Sequence, residues 1–201
     1  LLSLVTHSQE LGLDLRRGED RSKWLLASML FAKRIPSRIA MATFRQFENA
    51  GLVSSEAIVA AGWDRLVEIL DAGGYVCYDF STATTLLEVM DKLLKTYGSL
   101  EKLHDRAVDS KDLEQKLQAL KGIGPVATNI FLRELRSIWS KANPKPSPLS
   151  LAVAKKLGLA ESDVEQPGIE SALVRVHLDF CKRQKCAECP VKEDCSQSVR
   201  T

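Results

Sequence analysis

Residues 120–129 read Leu120-Lys121-Gly122-Ile123-Gly124-Pro125-Val126-Ala127-Thr128-Asn129, and they separate two amphipathic segments. Two glycines one residue apart can adopt backbone angles that other residues avoid, and they leave peptide N–H groups uncovered. Pro125 suits the first position of a new helix, where its missing N–H costs nothing. We therefore expect a turn that aims bare amides and the positive end of a helix dipole at one external point, a geometry that suits a phosphate oxygen.

Apolar residues recur at helical spacing along the rest of the chain, and no alternating strand pattern occurs. The sequence therefore predicts an all-α protein. Three prolines at alternate positions, 144 to 148, predict an extended linker between helices. The predicted helices cover residues 22–31, 37–49, 54–61, 63–71, 82–97, 100–107, 110–120, 125–139, 149–157 and the segment from Ile169 to Phe180, with helical potential also at 2–13.

The bulk composition sets few limits on function. A chain of 201 residues with 45% hydrophobic content can bury a proper core, in one domain or two small lobes. The net charge of +2 does not indicate a partner, so a nucleic-acid face would have to come from local clustering. The apolar runs are too short to span a bilayer, and no secretion signal is evident. We expect an intracellular protein, in the cytoplasm, nucleoid or nucleus, and favour a monomer.

Four cysteines lie close together near the end of the chain: Cys181, Cys186, Cys189 and Cys195, separated by four, two and five residues. A disulfide framework is typical of small secreted scaffolds, which this chain is not. A structural zinc usually takes two cysteine pairs separated by a longer loop. One compact loop with four thiolates favours a [4Fe-4S] cluster, with zinc as the alternative. The fifth cysteine, Cys77, is expected to be a core thiol.

The glycine turn followed by this cysteine loop resembles the endonuclease III-like DNA glycosylases of the HhH-GPD superfamily, from about Ser22 to Cys195. The resemblance implies a two-lobed helical fold with a helix-hairpin-helix, double-stranded DNA as the partner, and a role related to base-excision repair. It places one lobe at 21–136 and the other at 1–20 plus 137–201. The gap between the first two cysteines is four residues, which is shorter than usual in the family. In this respect the chain is similar to the branch of the family that removes alkylated purines.

Two catalytic positions of the family carry the wrong residues here. Relatives that cut the strand use a lysine shortly after the hairpin glycines, and Val126 stands at that place. Nearly all relatives use an aspartate to steady the cationic sugar, and Ser147 stands there when Lys156-Leu157-Gly158 fixes the register. Valine has no nucleophilic atom, and a serine hydroxyl is neutral at physiological pH and cannot supply a negative charge. Glu134 lies too far along the second hairpin helix to replace the acid.

The residues expected to contact DNA fall in three places: the hairpin turn, a basic helix end, and the first part of the cysteine loop. At the helix end, Lys33 stands where relatives often carry a glutamine that fills the gap left by a flipped base, and Arg34 and Arg38 follow it. Four aromatic side chains could wall a base pocket, although core packing is the favoured role of each: Trp24, Phe31, Tyr75 and Tyr78. The expected contacts are Lys121, Gly122, Ile123, Gly124, Val126, Lys33, Lys182, Arg183 and Lys185.

Three functions remain open at the level of sequence. The first is a DNA-binding protein on a glycosylase scaffold, with weak or no base excision and no strand cleavage. The second is an active monofunctional glycosylase of narrow range, because an alkylated purine already carries positive charge and leaves with less help. The third is a redox or scaffold protein that uses the cluster and does not bind DNA.

Overall fold

A computed structural model describes residues 4–197, and within that range the regular secondary structure is all helical, without strands. The predicted all-α class is therefore confirmed. The α-helices are α1 (His7–Glu10), α2 (Gly18–Phe31), α3 (Ser37–Asn49), α4 (Ser55–Ala72), α5 (Asp79–Tyr97), α6 (Leu100–Asp105), α7 (Ser110–Gln118), α8 (Pro125–Arg133), α9 (Pro148–Lys156), α10 (Glu161–Val164) and α11 (Ile169–Val176), followed by a π-helical turn (His177–Cys181) and a 3₁₀ turn (Cys186–Glu188).

The described chain divides into two compact units. One runs up to Gly12 and resumes at Leu132, and the other covers Leu13–Phe131. The lobe boundaries expected from the sequence lie after residues 20 and 136, whereas the compact units change after residues 12 and 131. No helix in the range 4–197 combines the length and the apolar character needed to cross a membrane.

The central unit is organised around α2, which is apolar nearly all round because other helices surround it. Trp24 is fully buried, and its indole Nε1 donates to the Phe131 carbonyl at 3.2 Å. Tyr75 is also buried, and its hydroxyl donates to the Leu30 carbonyl at 2.8 Å. Trp24 and Tyr75 are therefore core residues with satisfied polar atoms, as the core-packing interpretation of these aromatic residues predicts. Phe31 and Tyr78 are half-buried.

Helix α4 begins where the sequence predicts, since the Ser54 side chain accepts from the Ala57 amide at 3.1 Å. The two helices predicted for this region are found, and they join at Gly62, whose backbone is not helical (φ +76°, ψ 172°). That φ lies in the region that glycine adopts without strain. Helix α4 packs along α5, the longest helix of this unit, where Ala83, Leu86 and Met90 form the predicted buried stripe.

The terminal unit contains α1 and α9 to α11. The chain leaves α8 at Arg133, earlier than the predicted end at residue 139, and continues as tight turns in which Leu135 and Ile138 donate to the third residue back. The carboxylate of Glu134 accepts from the Ser8 amide at 3.3 Å and the Ser171 hydroxyl at 3.2 Å. These two contacts tie α1 and α11 together.

Candidate nucleic-acid interface and cysteine loop

The turn between α7 and α8 presents unpaired amides. Helix α8 begins after Gly124, whose carbonyl accepts from the Thr128 amide at 3.0 Å. Within the described chain the amides of Gly124, Val126 and Ala127 have no hydrogen-bond partner, as expected for the first turn of a helix. Gly124 and Val126 are exposed, with 60% of Val126 accessible. The turn therefore has unpaired amides at two exposed residues, Gly124 and Val126, whereas Ala127 is buried.

One predicted donor of this turn is not available. Ile123 is buried, and its amide donates to the Leu120 carbonyl at 2.9 Å. The prediction that Ile123 contacts DNA is therefore wrong for its backbone amide, because that amide is already used in the hydrogen bond that closes the turn. Its side chain anchors the turn in the core instead.

The two glycines of the turn have different roles. Gly122 has a φ of +121°, and a Cβ built there would lie 2.3 Å from Thr85 Cγ2 of α5. Glycine is therefore needed at residue 122 both for its backbone angle and for close packing. Gly124 has no atom within 4 Å of such a Cβ and no positive φ, so glycine there only leaves the backbone uncovered.

The charge around the turn is mildly favourable for an anion. The first turn of α8 contains no acidic residue that could neutralise the helix dipole. Lys121 is 87% exposed, and its Nζ lies 3.9 Å from Glu88 of α5, a pair that solvent largely screens. Lys92 donates to the Ala119 carbonyl at 2.6 Å, which places another cation at the end of α7.

The cation predicted to replace the family glutamine lies after α2. Lys33 is half-buried, and its Nζ stands 5.9 Å from the ring centroid of Tyr78. Arg34 and Arg38 are exposed, and neither forms an ion pair within residues 4–197. These residues therefore form a basic group on the central unit, next to the start of α5.

The position that corresponds to the family aspartate is a helix cap. The Ser147 side chain accepts from the Ser150 amide at 3.3 Å at the start of α9. The carboxylate of Glu170 accepts from the Ser147 amide at 2.9 Å and pairs with Arg136 at 2.6 Å. Glu170 is only 1% exposed, so this acid cannot reach a sugar in solvent. Sequence reasoning did not identify Glu170, because its partners lie more than twenty residues away along the chain.

The cysteine loop is a succession of tight turns. The amide of Cys189 donates to the Cys186 carbonyl, that of Lys192 to the Cys189 carbonyl, and that of Cys195 to the Lys192 carbonyl, at 3.1–3.3 Å. The 3₁₀ turn ends at Cys189, whose backbone is extended (φ −69°, ψ 128°), and the loop continues as separate turns. The Ser196 amide, donating to the Lys156 carbonyl at 2.9 Å, fixes the end of the loop to α9.

The four loop cysteines influence one another but do not form a finished metal site. Burial raises the pKa of Cys181 against the opposing charge of Lys156, and the thiols of Cys189, Cys195 and Cys186 raise it further. Cys181 and Cys189 pack against an apolar cluster that includes Val153, Leu173 and Val191. In the described part of the chain no group of three or more His, Cys, Asp or Glu side chains has the arrangement of a metal site, and no disulfide joins the cysteines.

The four thiols are nevertheless donors of the kind that an iron–sulfur cluster takes. They lie on one loop, and two of them lie against an apolar wall. Cys77, the fifth cysteine, lies in the other unit and is exposed, so the prediction that it is a core thiol is wrong.

The cations of the cysteine loop lie in its first half. Lys182 and Arg183 are exposed and form no ion pair within the described range, whereas Lys185 Nζ lies 3.3 Å from Glu188. Glu193 and Asp194 follow in the second half. The positive surface is therefore local to residues 182–185.

Comparison with known proteins adds no assignment: no family model matches the sequence, and no curated protein is significantly similar to it.

Proposed function

We propose that this protein binds double-stranded DNA on a glycosylase-like helical scaffold, with little or no base-excision chemistry and no strand cleavage. The observation that carries the proposal is the α7–α8 turn, where the amides of Gly124, Val126 and Ala127 are unpaired and no acidic residue lies in the first turn of α8. Backbone amides at a helix start bind phosphate oxygens irrespective of base sequence. Phosphate contacts of this kind position a protein on a duplex.

The expected lack of base excision and strand cleavage follows from the residues at two positions. Val126 is exposed at the place of the family lysine and has no nucleophilic atom. Ser147 caps α9, and the nearest carboxylate known to contact it, Glu170, is buried and paired with Arg136. A sugar cation would therefore find no accessible negative charge at this position, which disfavours the alternative of an active monofunctional glycosylase.

The cysteine loop is part of the same proposal. Cys181, Cys186, Cys189 and Cys195 would hold a [4Fe-4S] cluster that acts as a structural staple for the loop. Lys182 and Arg183 would then be displayed from a rigid support and would contact phosphates. The supporting observations are the thiol set on one loop and the two unpaired cations beside it.

The decisive experiment places a charge beside the unpaired amides. Val126→Glu puts a carboxylate in the first turn of α8, where it favours the helix by about 0.3–1 kcal/mol and should leave the fold intact. We expect this variant to bind a short paired duplex about tenfold more weakly in fluorescence anisotropy, because losing a charge-assisted hydrogen bond costs about 1.5–3 kcal/mol. Val126→Gln, of equal size and no charge, should bind within about twofold of the parent.

A matched control tests whether the effect is local. Val108 is 84% exposed elsewhere in the same unit, so Val108→Glu changes the net charge by the same amount. Affinity that falls equally in Val108→Glu and Val126→Glu would reject the turn as the phosphate site. Separately, a panel of lesion duplexes treated with alkali after incubation tests the chemistry, and abundant abasic sites would refute its absence.

A further inference from the structure

An exposed aromatic pair lies on the central unit. Trp63 of α4 and Phe80 of α5 contact each other with ring centroids 5.4 Å apart and planes inclined at 36°. Phe80 is 60% exposed and Trp63 is 39% exposed. Large aromatic side chains normally bury most of their surface, so an exposed pair marks a surface that other molecules can cover.

The pair is held in place by a hydrogen-bonded hydroxyl. The indole Nε1 of Trp63 donates to Thr84 Oγ1 at 3.0 Å, and the Thr84 hydroxyl donates to the Phe80 carbonyl at 3.0 Å. The Trp63 ring is therefore fixed before any ligand arrives, which lowers the entropy lost on binding.

The aromatic pair and the proposed phosphate-binding turn both adjoin α5. Thr85, the residue after Thr84, packs closely against Gly122 of that turn. From Phe80 to Thr85 the helix rises about 7.5 Å and rotates by about 140°, so the pair and the turn lie on different faces of α5. A strand held at the turn must therefore curve around α5 for one of its bases to reach the rings. Lys33, whose Nζ lies 5.9 Å from the ring centroid of Tyr78, places a cation near the start of the same helix.

Acidic residues also lie near the pair. Asp64 is exposed beside Trp63, and Asp79 adjoins Phe80. Loss of hydration and the neighbouring Asp79 carboxyl raise the pKa of Asp71 from its ordinary value. These acidic side chains disfavour a phosphate at the rings, so the aromatic pair suits an uncharged base whose phosphates are held elsewhere.

We propose that Trp63 and Phe80 form a stacking shelf for one unpaired base of a DNA strand whose backbone is held at the α7–α8 turn. This inference rests on the proposed DNA binding and adds a preference for DNA that contains an unpaired base. Aromatic faces stack on any base and need no sequence, whereas a fully paired duplex keeps its bases inside. The shelf therefore distinguishes distorted from regular DNA without reading sequence.

The test compares two DNAs and three proteins. The DNAs are a fully paired duplex and the same duplex with a single bulged 2-aminopurine, and the proteins are the parent, Phe80→Leu and Phe80→Tyr. We expect the parent to bind the bulged DNA about tenfold more tightly, because stacking on an aromatic side chain contributes about 1–3 kcal/mol per base. Phe80→Leu keeps apolar surface but loses the ring face and should remove this preference, and Phe80→Tyr should keep it.

Tryptophan emission gives an independent readout. Trp24 and Trp139 are 0% and 4% exposed, so acrylamide quenching of the native protein reports chiefly on Trp63. The bulged DNA should protect this emission from acrylamide, and the paired duplex should protect it less. Far-UV circular dichroism shows whether each variant is folded.

The outcomes separate the two proposals. If the parent binds both DNAs equally, or if Phe80→Leu weakens both by the same factor, the shelf is refuted while DNA binding stands. If the parent binds neither DNA, the proposed function fails and the shelf fails with it. A concentration-dependent dimer that Phe80→Leu dissociates would show that the pair is a contact between copies of this chain, and would also refute the shelf.

Discussion

The substitution Gly122→Ala tests the packing of the hairpin turn most directly. The new Cβ would lie 2.3 Å from Thr85 Cγ2 and 3.2 Å from Val89 Cγ2, and the backbone φ of +121° disfavours any side chain. The backbone strain costs about 1–3 kcal/mol, and overpacking costs about another 1–3 kcal/mol. The Thr85 side chain cannot simply rotate away, because its hydroxyl donates to the Ser81 carbonyl at 2.7 Å. We expect Gly122→Ala to lower the free energy of unfolding by roughly 2–4 kcal/mol.

A double-mutant cycle separates the two terms. Thr85→Ser removes the clashing methyl group and keeps the hydroxyl that bonds Ser81. In the Gly122→Ala background it should restore about 1–2 kcal/mol, within the usual range for residues in contact. The remaining loss then reports the backbone angle alone.

Urea unfolding followed by far-UV circular dichroism measures all four members of the cycle. Gly124→Ala is the matched control, because its Cβ meets no atom within 4 Å, and its free energy of unfolding should stay within about 0.5 kcal/mol of the parent. Equal stability of Gly122→Ala and Gly124→Ala would refute the close packing of the turn on α5. Failure of Thr85→Ser to recover stability would refute the assigned clash.

Three further predictions concern other parts of the chain. Burial raises the pKa of Asp20, but hydrogen bonds from Lys23 and the Asp14 amide lower it overall, so Asp20→Asn should cost about 1 kcal/mol at neutral pH. Urea unfolding should show the full loss of stability at any pH above the pKa of an unfolded aspartate, near 3.9. The difference between parent and variant should disappear as the pH falls through the lower pKa of Asp20 in the folded protein. Glu170→Gln should destabilise by about 3–5 kcal/mol in the same assay because it leaves the Arg136 charge buried, and adding Arg136→Met should recover most of the loss. Protein purified without oxygen should be brown, with four iron atoms per chain, and Cys189→Ala should lose the colour; colourless protein containing zinc would contradict the cluster.

Local patterns in the sequence predicted much of the fold. The apolar stripe of α5, the cap at Ser54 and the start of α8 at Pro125 depend on residues within one or two turns of each other, and all three are found. The end of α8 was predicted too late, because the residues after Arg133 are helical in pattern. Glu134 and Arg136 instead bond to partners far along the chain, and those bonds favour tight turns over a continued helix.

The candidate site was predictable in kind but not in detail. The turn glycines and the cysteine spacing identify the segments, whereas the closing bond of Ile123 and the Glu170 contact to Ser147 need tertiary structure. Exposure is equally invisible in the sequence. Phe80 and Cys77 are residue types that are usually buried, yet both are exposed in the structure.

Ser147 caps the start of α9, and this role determines which other residues could occupy the same position. Aspartate is as good an N-cap as serine, so Ser147→Asp keeps the bond to the Ser150 amide at no expense to the helix. The positive end of α9 would also favour the ionised form of the new acid. The buried Glu170 carboxylate, which accepts from the amide of the same residue, would oppose that charge, so the neighbouring acid rather than the helix limits which residues this cap can hold.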